Sequence, residues 1–128
     1  MNISKHISYK EATRSVTAIR RGIENTPNDY QRTNMEAIAH NIFEPLREWV
    51  GGPIKINSFF RCEDLNKAIG GSTKSQHCKG EALDLQFWKD GQMSNQEIYQ
   101  WVLKSGLQFD QMINEFDFAW IHISLKKE

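Results

Sequence analysis

Glu81-Ala82-Leu83-Asp84-Leu85-Gln86-Phe87-Trp88 leaves a polar loop and alternates its side chains as a strand does. Successive strand residues point to opposite faces, so Ala82, Asp84 and Gln86 share one face while Leu83, Leu85 and Phe87 share the other. The second face is wholly apolar and belongs against helices. The first stays polar, with Asp84 at its centre. Trp120-Ile121-His122-Ile123-Ser124-Leu125 divides in the same way, with Trp120, His122 and Ser124 set against Ile121, Ile123 and Leu125. Two such strands predict an α+β fold: a small central, mostly antiparallel sheet with helices packed on one face and a polar site on the other. Alternation turns Glu81 away from Asp84, so it reads as a strand-edge carboxylate.

Working outward, FDQMINEF (Phe109 to Phe116) reads as a further strand, separated from WIHISL by only a few residues, which predicts an antiparallel hairpin. IKINSFFR (Ile54 to Arg61) follows the breakers Gly51-Gly52-Pro53 and reads as another strand, with Arg61 at its end. A brief helix over Glu63 to Ile69 stops at Gly70-Gly71, leaving Ser72 to Gly80 as a loop. Ser94 and Glu97 have capping-box spacing and open a helix carrying Ile98, Trp101 and Val102 to Gly106. Ser8 and Glu11 have the same spacing and predict a helix from Tyr9 to Arg20. Thr26 as cap and Pro27 at the first helical position start the main helix. Met35, Ile38, Ala39, Ile42, Leu46, Trp49 and Val50 form its buried stripe, and Pro45 is placed to kink it.

With 128 residues, 39% of them hydrophobic, and no linker or repeat, residues 1–128 are expected to form one domain. Lysine plus arginine equals aspartate plus glutamate at 16 each, so no net field draws the chain to nucleic acid or an anionic membrane. Neither a signal peptide nor a membrane-spanning stretch is visible, and the expectation is synthesis in the cytoplasm. There Cys62 and Cys78 are expected to stay reduced and structural.

If the strands bearing Asp84 and His122 are neighbours, the two side chains converge on one open surface, and His77 in the preceding loop can close the group. Two imidazoles and a carboxylate suit Zn²⁺, and three protein ligands leave a fourth position for water, the catalytic arrangement. Spacing alone leaves open that His122 is a half-buried histidine satisfied by hydrogen bonds. His6 and His40 read as surface or packing residues. Cys78 adjoins His77, but Cys62 offers no C-x-x-C spacing to complete a cysteine site.

The run Ser75-Gln76-His77-Cys78-Lys79-Gly80-Glu81-Ala82-Leu83-Asp84 resembles the S-x-H-x-x-G-x-A-x-D motif of D-alanyl-D-alanine carboxypeptidases and L-alanyl-D-glutamate endopeptidases, and Trp120-Ile121-His122 resembles their W-x-H. Ser58 to His77 is similar to the arginine segment of these hedgehog-type zinc peptidases, FDQMINEF to the strand before their second motif, and SKHISYKEATRS with ENTP to small phage-encoded members. The resemblance implies one Zn²⁺ per chain held by His77, Asp84 and His122, with Arg61 binding substrate. It also implies hydrolysis of peptidoglycan stem peptides, which contain D-amino acids and end in a free carboxylate. The implied setting is the bacterial wall, reached after release as by a phage endolysin or as part of a virion. A non-catalytic zinc-containing wall-binding or phage structural module is the alternative.

A metal-activated water also needs a base. If the last two strands pair about a turn at Phe118-Ala119, Glu115 lies directly across from His122 and is the expected base, with Asp117 second on the same face. Phe118-Ala119 is poor chemistry for a two-residue turn, so a longer loop with a shifted register stays open.

Overall fold

The computed structural model describes residues 2–125. A small hairpin with no forewarning in the sequence pattern, β1 (Asn2–Ser4) with β2 (Ile7–Ser8), opens the fold. Ser8 then caps α1 (Tyr9–Thr13) by accepting from the Glu11 backbone N–H at 3.0 Å. The helix expected to run on to Arg20 is interrupted at Arg14. Ser15 caps a separate helix, α2 (Val16–Arg21), through the Ala18 N–H at 3.1 Å, and a short polar side chain that can satisfy orphan donors competes with continuing the helix.

The main helix starts at Asn28 rather than Thr26. Asn28 accepts from the Gln31 N–H and Gln31 Oε1 accepts from the Asn28 N–H, both at 2.8 Å, a reciprocal pair that outcompetes a lone threonine cap. From there α3 (Asp29–Ile38) passes through one wide π turn (Ala39–Phe43) into α4 (Glu44–Val50). Pro45, the expected site of a kink, sits in the first turn of α4 just after this wide turn, which accommodates a residue that lacks an N–H. Met35, Ile38, Ala39, Ile42 and Leu46 are buried as expected and Phe43 joins them, while Trp49 remains 41% exposed and stacks on Trp101 at 4.9 Å.

The strand expected over Ile54 to Arg61 narrows to β3 (Lys55–Ser58), beyond which Phe59 and Phe60 leave the ladder and plug the core. Next come α5 (Glu63–Ala68), a 3₁₀ turn (Gln76–Lys79) and β4 (Ala82–Gln86). A two-stranded flap, β5 (Trp88–Lys89) with β6 (Gln92–Met93), leads into α6 (Asn95–Ser105). Ser94 precedes that helix without capping it through its side chain; its hydroxyl donates to the Gln92 carbonyl instead. The chain closes with β7 (Gln111–Glu115) and β8 (Trp120–Ser124).

The main sheet has the order β3-β4-β8-β7 and every pairing is antiparallel, the α+β architecture expected from the alternation. Leu83, Leu85, Ile121 and Ile123 are almost fully buried in one cluster with the apolar residues of α3, the π turn, α4 and α6. Each such side chain contributes roughly 1.5–3 kcal/mol, and a slip of one residue would expose all four, so this face fixes the β4–β8 register. No helix among the described residues is long and apolar enough to cross a membrane.

Candidate metal centre

The register places Asp84 directly opposite His122 on the face away from the helices. Asp84 accepts from His122 Nδ1 at 2.9 Å through one carboxylate oxygen, and its other oxygen lies 3.2 Å from His77 Nε2. His77 is fixed from behind. Its Nδ1 is 2.8 Å from the Phe59 carbonyl, which can only accept, so Nδ1 carries a proton and Nε2 is the nitrogen that faces the site. His77 Nε2 is buried and has no aligned hydrogen-bond partner. A metal ion held between Nε2 and the Asp84 carboxylate would give both a partner.

The donor set therefore fits zinc. One ligand atom from each of His77, Asp84 and His122 lies within 4.8 Å of the other two. Metal–ligand bonds of about 2.0–2.2 Å in a tetrahedron put donors roughly 3.3 Å apart, and the Asp84 oxygens lie 2.9 and 3.2 Å from the nitrogens of His122 and His77. The two rings meet edge to face, with centroids 5.3 Å apart. Burial works against the Asp84 carboxylate, but the hydrogen bonds and charges of His122 and His77 outweigh it and hold the pKa far below the usual carboxylate range. Asp84 is thus an anion throughout the physiological range, as a metal ligand must be.

Backbone devices explain why His77 sits where it does. Ser75 Oγ caps the 3₁₀ turn by accepting from the His77 N–H at 3.2 Å, and Gly80 ends it at φ 75°. A side chain at Gly80 would stand 2.4 Å from the Gln31 carbonyl of α3, so only glycine permits this approach. Gln31 and Asn34 then donate to the carbonyls of Cys78 and Lys79, each at 3.0 Å, stitching the turn to α3.

Arg61 is held comparably. Asn25 donates to the Phe60 carbonyl at 2.9 Å and accepts from the Cys62 N–H at 2.7 Å, bracketing it on both sides, while the Arg61 N–H donates to the His77 carbonyl. Burial lowers the Arg61 pKa, with Asp84 and Cys78 pulling it back up, and its buried Nε has no partner among the described residues. The guanidinium therefore stands within electrostatic range of Asp84 with capacity to spare.

The expected pairing of Glu115 with His122 needs correction. Ile113 lies opposite His122, and Glu115 lies opposite Trp120. The strands are joined by Phe116 to Ala119, a longer turn in which the Ala119 N–H reaches back to the Glu115 carbonyl at 2.9 Å. Phe116, Asp117 and Phe118 all adopt positive φ there. Glu115 keeps the metal face, displaced diagonally by about 7–8 Å between Cα atoms, within reach of a long side chain. Asp117 sits in the turn outside the strand and is exposed, so it does not share that face.

Two amides that carry no pattern in the sequence hold the turn. Asn95, 1% exposed, donates to the Phe118 and Ala119 carbonyls at 2.7 and 3.1 Å and accepts from the Phe87 N–H at 2.7 Å, and Gln86 donates to the Ala119 carbonyl at 2.9 Å. Phe116 leans on Trp120 with centroids 5.0 Å apart. Of the remaining residues, Glu81 is 4% exposed rather than an open edge carboxylate, and its carbonyl accepts from the Leu125 N–H. His6 pairs with Glu44, and His40 is exposed. Both cysteines are free thiols, and burial pushes the Cys78 thiol up, keeping it protonated beside the site.

Two histidines and a carboxylate, with an acidic residue a diagonal step away on the same sheet face, are the parts of a mononuclear metallohydrolase. Comparison with known families narrows that class: a family model described as Peptidase M15 matches residues 5–124, and the chain belongs to this family of zinc-dependent metallopeptidases. No curated protein matches the chain.

Proposed function

We propose that the protein hydrolyses peptide bonds in peptidoglycan stem peptides, with zinc held by His77, Asp84 and His122. The observation that carries this reading is the convergence of these three donors within 4.8 Å in an M15 chain. When bound, zinc would polarise the scissile carbonyl and make water a stronger acid. Glu115 takes the proton of the attacking water and passes it to the leaving nitrogen as the C–N bond breaks and the new C–O bond forms. Arg61, which lines the adjoining cleft, binds a carboxylate of the stem peptide and aligns the chain across the site. His77 is kept in the metal-binding tautomer by the Phe59 carbonyl.

A synthetic stem peptide or purified wall material incubated with zinc-loaded protein, followed by mass spectrometry, tests the reading. Metal-dependent cleavage at one bond supports it. An intact substrate in the presence of fully loaded protein would leave the non-catalytic wall-binding alternative. Loss of a terminal alanine identifies a carboxypeptidase, and separation after the first alanine an endopeptidase.

A further inference from the structure

Beside the metal centre the sheet ends at β3, whose outer edge has no strand partner, with α1 packed close by and the Phe60 N–H donating to the Ala12 carbonyl just past the strand. Its ladder with β4 is its one backbone pairing, and no other backbone hydrogen bond joins 55–58 to the rest of the described chain. Edge strands are usually covered or blocked, because unpaired N–H and C=O groups recruit another chain. β3 borders a cleft of about 560 Å³ that is also lined by Glu11 of α1, the Arg14-Ser15 link, the first turn of α2, and Leu65 and Ile69 of the α5 segment. All four β3 residues line this cleft, and Arg61 lines it as well. Its volume falls among the roughly 300–1,000 Å³ of pockets that engulf whole organic ligands, well beyond one terminal carboxylate.

Length and register agree with an extended occupant. From Lys55 to Ser58 the strand advances about 10 Å at ~3.3 Å per residue, room for three or four residues of a second chain. Ser58 pairs with Asp84, so the groove ends in the metal's own row of the sheet. The charge is one-sided: Arg14, Lys55 and Arg61 face a single carboxylate, Glu11, whose ionisation is disfavoured by burial. Neither Arg14 nor Lys55 forms an ion pair with a described residue.

We propose that an extended, carboxylate-bearing peptide docks along β3 as an added strand, with Arg14 and Lys55 pairing with its carboxylates and setting specificity on that side of the scissile bond. Backbone pairing supplies the affinity and the two cations supply the discrimination. The inference rests on the peptidase reading for the chemistry at the Ser58 end alone.

The test is amide hydrogen exchange on zinc-loaded Glu115→Gln protein titrated with a synthetic stem pentapeptide, in parallel with the same peptide carrying carboxamides in place of its carboxylates. Protection should appear at 55–58, and Arg14→Gln and Lys55→Gln should each weaken binding about five- to tenfold and flatten its salt dependence. Wild-type affinity in both variants, or protection confined to the opposite edge strand at 111–115, overturns the proposal. Cleavage of the same peptide by wild-type protein is scored separately. Cleavage without protection at β3 removes the groove and keeps the peptidase, whereas protection without cleavage does the reverse.

Discussion

Replacing Asn95 with alanine should reveal how much the turn beside Glu115 depends on one buried amide. Asn95 Oδ1 is the partner of the Phe87 N–H at 2.7 Å, and Nδ2 donates to the carbonyls of Phe118 and Ala119. Truncation leaves the Phe87 N–H without its partner inside the protein, while the Ala119 carbonyl keeps Gln86. A stranded buried donor costs about 1–3 kcal/mol and a lost ordinary bond about 1 kcal/mol, so the total is roughly 3 kcal/mol. For 128 residues, an unfolding entropy of about 2.1 cal/mol/K per residue converts this into a Tm lower by about 10 °C. Asn95→Asp separates the two halves of the interaction. It keeps an acceptor for Phe87 but sets a carboxylate oxygen against two carbonyls, so it releases the turn selectively. Calorimetry of both variants, with hydrolysis measured well below either Tm, should show Asn95→Asp losing activity while still binding one zinc. An Asn95→Ala loss of less than about 0.5 kcal/mol, the range of an uninvolved surface change, would refute the reasoning.

Gly80→Ala forces a side chain to 2.4 Å from the Gln31 carbonyl at φ 75°, and the left-handed backbone alone costs about 1–2 kcal/mol; weaker zinc binding by titration calorimetry should accompany the lower Tm. Glu115→Gln should bind zinc normally and lose about 100- to 10,000-fold in turnover, whereas Asp117→Gly, which relieves a positive φ in the turn, should retain turnover and gain up to about 1 kcal/mol in urea unfolding. Burial opposes the Glu44 carboxylate, but hydrogen bonds from Ser4 and His6 win and hold its pKa below the ordinary 4.5. A lowered folded pKa means that this stability is present above the ordinary value and lost as pH falls through the folded one. Glu44→Gln should therefore cost about 1–2 kcal/mol at neutral pH, and less as the urea midpoint is tracked into acid; a pH-independent cost would contradict it.

Alternation in β4 and β8 disclosed the sheet and its polar face because one face of each strand is wholly apolar, and only one register buries Leu83, Leu85, Ile121 and Ile123 together. The pairing of Asp84 with His122 is a consequence of that register. The β7–β8 register was not legible, because the turn Phe116-Asp117-Phe118-Ala119 carries three positive-φ residues and no glycine, so its chemistry does not announce its shape. Asn25, Asn34 and Asn95 each secure a piece of the site, yet their partners lie far along the chain, and a single buried amide leaves no periodic signal. The π turn before Pro45 and the break at Arg14 escaped for a related reason: local propensity marks where a helix is stressed, and tertiary packing decides how it yields. Arg61, expected at a strand end, lies three residues past β3, and its cleft could not be foreseen, since α1 and α2 reach β3 only through the fold.

The central claim is a one-zinc centre made by His77, Asp84 and His122, and X-ray absorption on protein dialysed against zinc addresses it directly. The expected result is one zinc per chain with nitrogen and oxygen neighbours at about 2.0–2.2 Å, and loss of the metal in Asp84→Ala. A sulfur neighbour at about 2.3 Å, which would bring in Cys78 or Cys62, or zinc retained without Asp84, would contradict it.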